Sequence, residues 1–278
     1  MSPLVKALIY YAIALTGSIA MALFVTPILG PFTVALVMFT PLIAVLAMKL
    51  LVTREGYRWN GWSDLGLHRL GLKGWPLAFG LPFLVLLFAY GIVWMFGIAQ
   101  FNVPADGIGA PTDIAINFAV TMLFCFGEEI GWRGYLLPKL MTLGHRNALL
   151  LSGLMQAIWH LPFILFTSFY HGGGNTWIIV PLFLSTLTIA GILFGYLRIA
   201  TKSTWPAVIA HAVFNVYWVT FGLLSIATSP LAFEYLAGES GVLTLAAVAL
   251  SAWVLIRRME HPRNGIVIST DAPRLATA

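Results

Sequence analysis

Residues 124–140, FCFGEEIGWRGYLLPKL, set Glu128, Glu129 and Arg133 inside an apolar run. An ionisable side chain in a segment of bilayer length costs roughly 2.5 to 3.5 kcal/mol to insert, so its presence is first read as functional. His160 in WHLPF, and His211 with Asn215 in HAVFN, are of the same kind. On a helix, Glu129 and Arg133 at i and i+4 share a face and can pair. His211 and Asn215 share a face in the same way, whereas Glu128, turned about 100° from Glu129, meets a different neighbour.

These side-chain types suit hydrolysis of a peptide or other acyl bond. Glu128 can take a proton from water, with His160 sharing or steering that water. His211 and the Asn215 amide can donate hydrogen bonds to the oxyanion. A metal is the rival arrangement: Glu129, His160 and His211 from three helices match the ligand set of a catalytic zinc, with the second carboxylate as base. No HExxH occurs and the histidines are far apart in sequence, so spacing leaves metal-bound and metal-free water both open. Singly, each residue also has a structural use, Glu129 and Arg133 as a helix-end ion pair and the others as interhelical hydrogen-bond partners. Cys125 has no neighbouring base and reads as a packed apolar residue. The sequence lacks GxSxG, a Walker A motif and a dinucleotide fingerprint, and HGGGN reads as a loop.

Helices must position these groups. The chain has 278 residues, 60% hydrophobic and 9% charged, which excludes a water-soluble domain and implies an all-α, polytopic membrane protein. Stretches long enough to cross a bilayer fall at 6–26, 31–52, 75–98, 112–131, 147–169, 177–198, 204–226 and 240–257. The breaks between them, such as FNVPADGIGAP and ATSPLAFEYLAGESG, are short and rich in turn residues. One domain over 1–260 follows, with a motif core at 124–216 and a polar, mobile tail at 261–278.

All 15 basic residues fall on one side of this arrangement, from Lys6 through Lys49, Arg54, Arg58, Arg69, Lys73, Arg133, Lys139, Arg146, Arg198 and Lys202 to the C-terminal arginines. The opposite loops carry only Asp106, Asp113, Glu234 and Glu239 as charges. The positive-inside rule then makes both termini cytoplasmic. Helical rise counted from the basic ends puts the polar cluster in the cytoplasmic half of the membrane. The loop REGYRWNGWSDLGLHRLGLKGW, with Asp64 and His68, reads as a headgroup-level anchor in contact with lipid.

At these residues the chain resembles the CAAX protease and bacteriocin-processing (ABI) family of intramembrane proteases. EEIGWRGYLLPKL is similar to its first motif, EExxxR, at Glu128, Glu129 and Arg133; WHLPF to its second, at His160; HAVFN to its third, HxxxN, at His211 and Asn215. The second motif is often written FxxxH, and here Gln156 stands in the Phe place, which bears on the active-site wall and substrate fit. The resemblance implies an eight-helix fold of a prokaryotic plasma membrane and a site opening toward the cytosol. It also implies hydrolysis of membrane-associated or lipid-modified, CaaX-type proteins. Family members are commonly labelled metalloproteases, though a glutamate-dependent, metal-free mechanism fits Glu128 and His160. No nucleic-acid or nucleotide partner is expected. A non-proteolytic immunity or scaffold protein of the same fold, and a proton-coupled transporter, are the competing functions.

Overall fold

A computed structural model describes residues 1–105, 107–167 and 173–260. Asp106, part of HGGGN and the tail expected at 261–278 lie outside the described residues. Among those residues eight helices are long and apolar enough to span a membrane: α1 (Pro3–Leu29), α2 (Phe32–Val52), α3 (Leu72–Met95), α4 (Pro111–Leu143), α5 (His145–Phe166), α6 (Thr176–Thr201), α7 (Trp205–Leu223) and α8 (Val242–Glu260). Ser2 starts the first, its Oγ accepting from the Val5 amide at 3.3 Å, as an N-cap serine should.

The largest boundary difference is informative. The sequence ends the fourth span at 131, yet α4 continues to Leu143 because Ile130–Leu136 is a π-helical stretch that widens the coil without ending it. Such insertions are frequent at functional sites, and of the π stretches at Met21–Val25, Ala47–Val52 and Ile130–Leu136 this one directly follows the paired glutamates. A second difference is a small antiparallel sheet, β1 (Ala99–Phe101) with β2 (Ser225–Ala227), in register Ala99 to Ala227. It ties the α3–α4 connection to the segment after α7. A seven-residue helix, Pro230–Leu236, follows before α8.

Glycines set how closely α5 and α6 approach. A Cβ at Gly153 would stand 2.2 Å from the Thr188 carbonyl oxygen, and one at Gly191 would stand 2.7 Å from Gly153 Cα and 2.9 Å from Arg133 Nη2. Without a strong hydrophobic drive between helices in lipid, such small-residue contacts let backbones pack closely. Here they also leave room for an arginine against α6.

The loop expected to lie at headgroup level does more than anchor. Trp59 and Tyr57 are exposed, as that reading requires. Asp64, however, clamps the loop to the bundle: Oδ1 accepts from Lys49 Nζ and Oδ2 from Lys139 Nζ, each at 2.7 Å. Arg198 adds a bond from Nη2 to the Asp64 carbonyl at 2.8 Å and another from Nε to the Arg133 carbonyl at 3.1 Å. Partial burial pushes the Asp64 carboxyl up, but the Lys139 and Lys49 ammonium groups outweigh it and hold the group below the usual carboxylate range.

Because that value is depressed on folding, the clamp stabilises fully above the unfolded-state value and is lost as pH falls through the folded one. Asp64→Asn should lower thermal stability at neutral pH by on the order of 3 kcal/mol, since it leaves the buried Lys49 ammonium short of its carboxylate. It should also flatten the acid-side decline, and unfolding curves at several pH values that superpose on wild type would contradict the clamp. Gly153→Ala should cost about 1 to 3 kcal/mol through overpacking against α6, read in the same unfolding assay; an unchanged midpoint would contradict the close approach.

Candidate active site

Arg133 is completely buried and its neighbours define the site. Its Nη1 donates to Glu129 Oε1 at 2.8 Å and to Gln156 Oε1 at 2.5 Å, and Nη2 donates to the Gly191 carbonyl at 3.3 Å. The guanidinium carbon lies 5.1 Å from the Phe194 ring centroid. Glu129 Oε1 also receives Nδ1 of His211 at 2.9 Å. One charge cluster thus joins α4, α5, α6 and α7. The expected i,i+4 pair is present, and its carboxylate additionally orients the α7 histidine.

Glu128 looks elsewhere, as the helical rotation predicts. Its Oε2 accepts from Gln156 Nε2 at 3.0 Å, so Gln156 holds Arg133 with its oxygen and Glu128 with its nitrogen. His160, one turn further along α5, has Nδ1 3.0 Å from the Gln156 backbone oxygen. A carbonyl can only accept, so Nδ1 carries the proton and a neutral ring has its lone pair on Nε2. The preceding Trp159 fixes this turn, its indole N–H donating to Thr40 Oγ1 at 3.1 Å and its carbonyl accepting from Ser18 Oγ at 2.7 Å. His211 is stacked on Phe194, with centroids 5.3 Å apart. Asn215 Nδ2 reaches Cys125 Sγ at 3.6 Å, so the buried cysteine has a weak polar contact and no adjacent base.

Glu128, Gln156, His160, His211, Asn215 and Glu239 line one cavity of about 180 Å³, whose remaining wall is apolar. Of the six residues singled out in the sequence, four therefore face a shared space, while Glu129 and Arg133 stand behind it as its support. Sequence reasoning passed over two of the lining residues. Gln156 was visible only as a departure from FxxxH, and Glu239 only as a charge in a loop. Burial pushes the Glu239 carboxyl up to about 7, with His211 lowering it and Glu128 raising it.

At about 1.5 Å per residue, His160 lies roughly 22 Å along α5 from its basic-loop end and His211 roughly 9 Å along α7 from its own, and the lining continues to Glu239 in the α7–α8 connection. Among the described residues no three His, Cys, Asp or Glu side chains are gathered as metal donors. Glu129 Oε1 and His211 Nδ1 face each other, while His160 and His211 line one cavity. The reaction can be written with the chain's own side chains.

The helical membrane bundle thus gathers carboxylates, histidines and an amide around one cavity. Residues 110–217, which contain all six sequence-selected residues, match the family model for type II CAAX prenyl endopeptidase Rce1-like. The chain is also similar to "CAAX prenyl protease 2" of Methanococcus maripaludis, 29% identical over 157 residues, which are 54% of this chain and 57% of that protein. The match thus spans little more than half the length of that relative. Over residues 110–217 the chain is thus similar to the type II CAAX prenyl endopeptidase family.

Gln156→Leu removes the donor to Glu128 and an acceptor for Arg133, leaving buried polar groups unsatisfied at about 1 to 3 kcal/mol. The full chain in lipid nanodiscs should unfold at a correspondingly lower temperature, and an unchanged midpoint would show that the bridge contributes nothing.

Proposed function

We propose that the chain is an intramembrane endopeptidase that hydrolyses a peptide bond with water activated by Glu128. The observation that carries this reading is the division between the two glutamates. Glu129 is engaged by Arg133 and His211, while Glu128 faces the cavity together with His160, His211 and Asn215. With two carboxylates and one guanidinium in a medium that penalises net charge, an imidazolium at His211 completes the balance. Its Nδ1–H is committed to Glu129, which leaves Nε2–H as a donor.

In the reaction, Glu128 takes a proton from a water that the His160 Nε2 lone pair helps to orient, and the hydroxide oxygen bonds to the scissile carbonyl carbon. The carbonyl oxygen becomes negative and accepts hydrogen bonds from His211 Nε2–H and the second Asn215 amide N–H. The C–N bond then breaks as the proton held by Glu128 passes to the leaving nitrogen. Substrates of the class named for the relative, CAAX-bearing prenylated proteins, or other membrane-associated peptides are the natural candidates. With the basic loops in the cytoplasm, the Glu239 end of the cavity lies toward the opposite face, so the lining favours approach from that side over the cytosolic approach implied by the resemblance.

Glu128→Ala and His160→Ala should each lower cleavage of a membrane-tethered peptide library by at least about 100-fold, while the purified variants remain folded at the assay temperature. Cleavage should persist in chelator. Full activity of either variant would overturn the assignment, and loss of activity on chelation that is restored by a divalent metal would overturn the metal-free mechanism.

A further inference from the structure

Glu239 lies outside the interval matched by the family model and takes no part in the hydrolytic steps above. Its carboxylate nevertheless lines the same cavity as Glu128 and His211. Among the described residues it has no hydrogen bond or ion pair. The other carboxylates near cations are already taken: Lys6 with Glu55, Lys49 and Lys139 with Asp64, Arg133 with Glu129, and Arg146 with Glu260. The loops at the Glu239 end of the bundle contain no Lys or Arg in the sequence.

The segment GESG is folded to hold the acid there. Gly238 has φ +78°, and a Cβ on it would stand 3.1 Å from the Trp218 indole nitrogen; a Cβ on Gly241 would stand 2.6 Å from the Ala237 carbonyl. Only glycine fits these two positions without displacement, so the turn presses against α7 and places Glu239 beside Trp218, which also lines the cavity. A carboxylate and an indole lining one cavity can together receive a cation, by charge pairing and by cation–π attraction. Among the described residues no Lys or Arg pairs with Glu239, and the His211 ring of the same cavity is committed to Glu129.

Resting on the reading of this cavity as the substrate site, we infer that Glu239 and Trp218 form a subsite that selects a substrate carrying a lysine or arginine near the scissile bond. A cationic substrate side chain gives Glu239 the direct partner it lacks within the chain, and the repulsion between Glu239 and Glu128 is relieved when it binds.

The test uses the full chain in phosphatidylcholine nanodiscs, which carry no net charge, and acyl-anchored peptides that differ only in Lys, Leu or Glu at each position around the cleaved bond. The quantity read is the ratio of kcat/KM for the Lys peptide to that for the Leu peptide. Wild type should favour Lys by roughly 10- to 100-fold at one position. Glu239→Gln should bring that ratio close to one, Glu239→Asp should keep its sign, and Glu239→Lys should favour the Glu peptide. No charge preference in wild type, or a Glu239→Gln variant that slows every peptide by one factor with the ratio unchanged, would overturn the subsite.

Binding of the same peptides to Glu128→Gln separates this inference from the hydrolytic assignment. If wild type cleaves nothing, the proposed function falls, and the subsite stands only if the Lys peptide binds Glu128→Gln about tenfold more tightly than it binds Glu128→Gln/Glu239→Gln. Equal binding by the two would overturn it.

Discussion

A guanidinium enclosed in a membrane bundle has to be satisfied by the protein, because neither water nor lipid can do it. Arg133 is met at its two terminal nitrogens by Glu129, Gln156 and the Gly191 carbonyl, which belong to three helices. Each partner restricts its own surroundings. Gly191 and Gly153 must lack side chains for α5 and α6 to come close enough, and Glu129 must point away from the cavity. The wide π turn at Ile130–Leu136 is where the chain accommodates these demands.

The chemical consequence is a division of labour between neighbouring carboxylates that composition alone would treat as equivalent. Glu129 is held by two cationic or proton-donating partners and orients His211. Glu128 has an amide donor from Gln156 and open space in front of it. Gln156 therefore links the supporting cluster to the reactive one, and its backbone oxygen fixes the tautomer of His160 on the next turn. A phenylalanine in its place could do none of this with its side chain. In this chain the departure from FxxxH is a structural element of the site.

Much of this was legible in the sequence, for identifiable reasons. The eight spans follow from hydropathy and loop charge, since a bilayer imposes a length on every crossing. The i,i+4 relation of Glu129 to Arg133, and the rotation of Glu128 away from it, follow from helical geometry. Which helices touch does not, so the Gln156 bridge and the Gly153–Gly191 contact were hidden. Glu239 was hidden for a different reason: it lies in a connection after α7, and depth counted from the basic ends gave no cause to bring that loop back to the cavity. Asp64 was read as part of a lipid anchor because its partners, Lys49 and Lys139, lie in separate spans. The candidate metal ligands came from three helices by residue type, and spacing alone did not reveal that Glu129 and His211 meet directly.

Thermal unfolding of Glu128→Gln and Glu129→Gln, measured side by side in the same nanodiscs, probes this division most directly. The structure predicts that Glu129→Gln loses on the order of 3 kcal/mol or more because it strips Arg133 of its counter-charge, whereas Glu128→Gln unfolds close to wild type. Equal losses in the two variants, or a larger loss in Glu128→Gln, would contradict it.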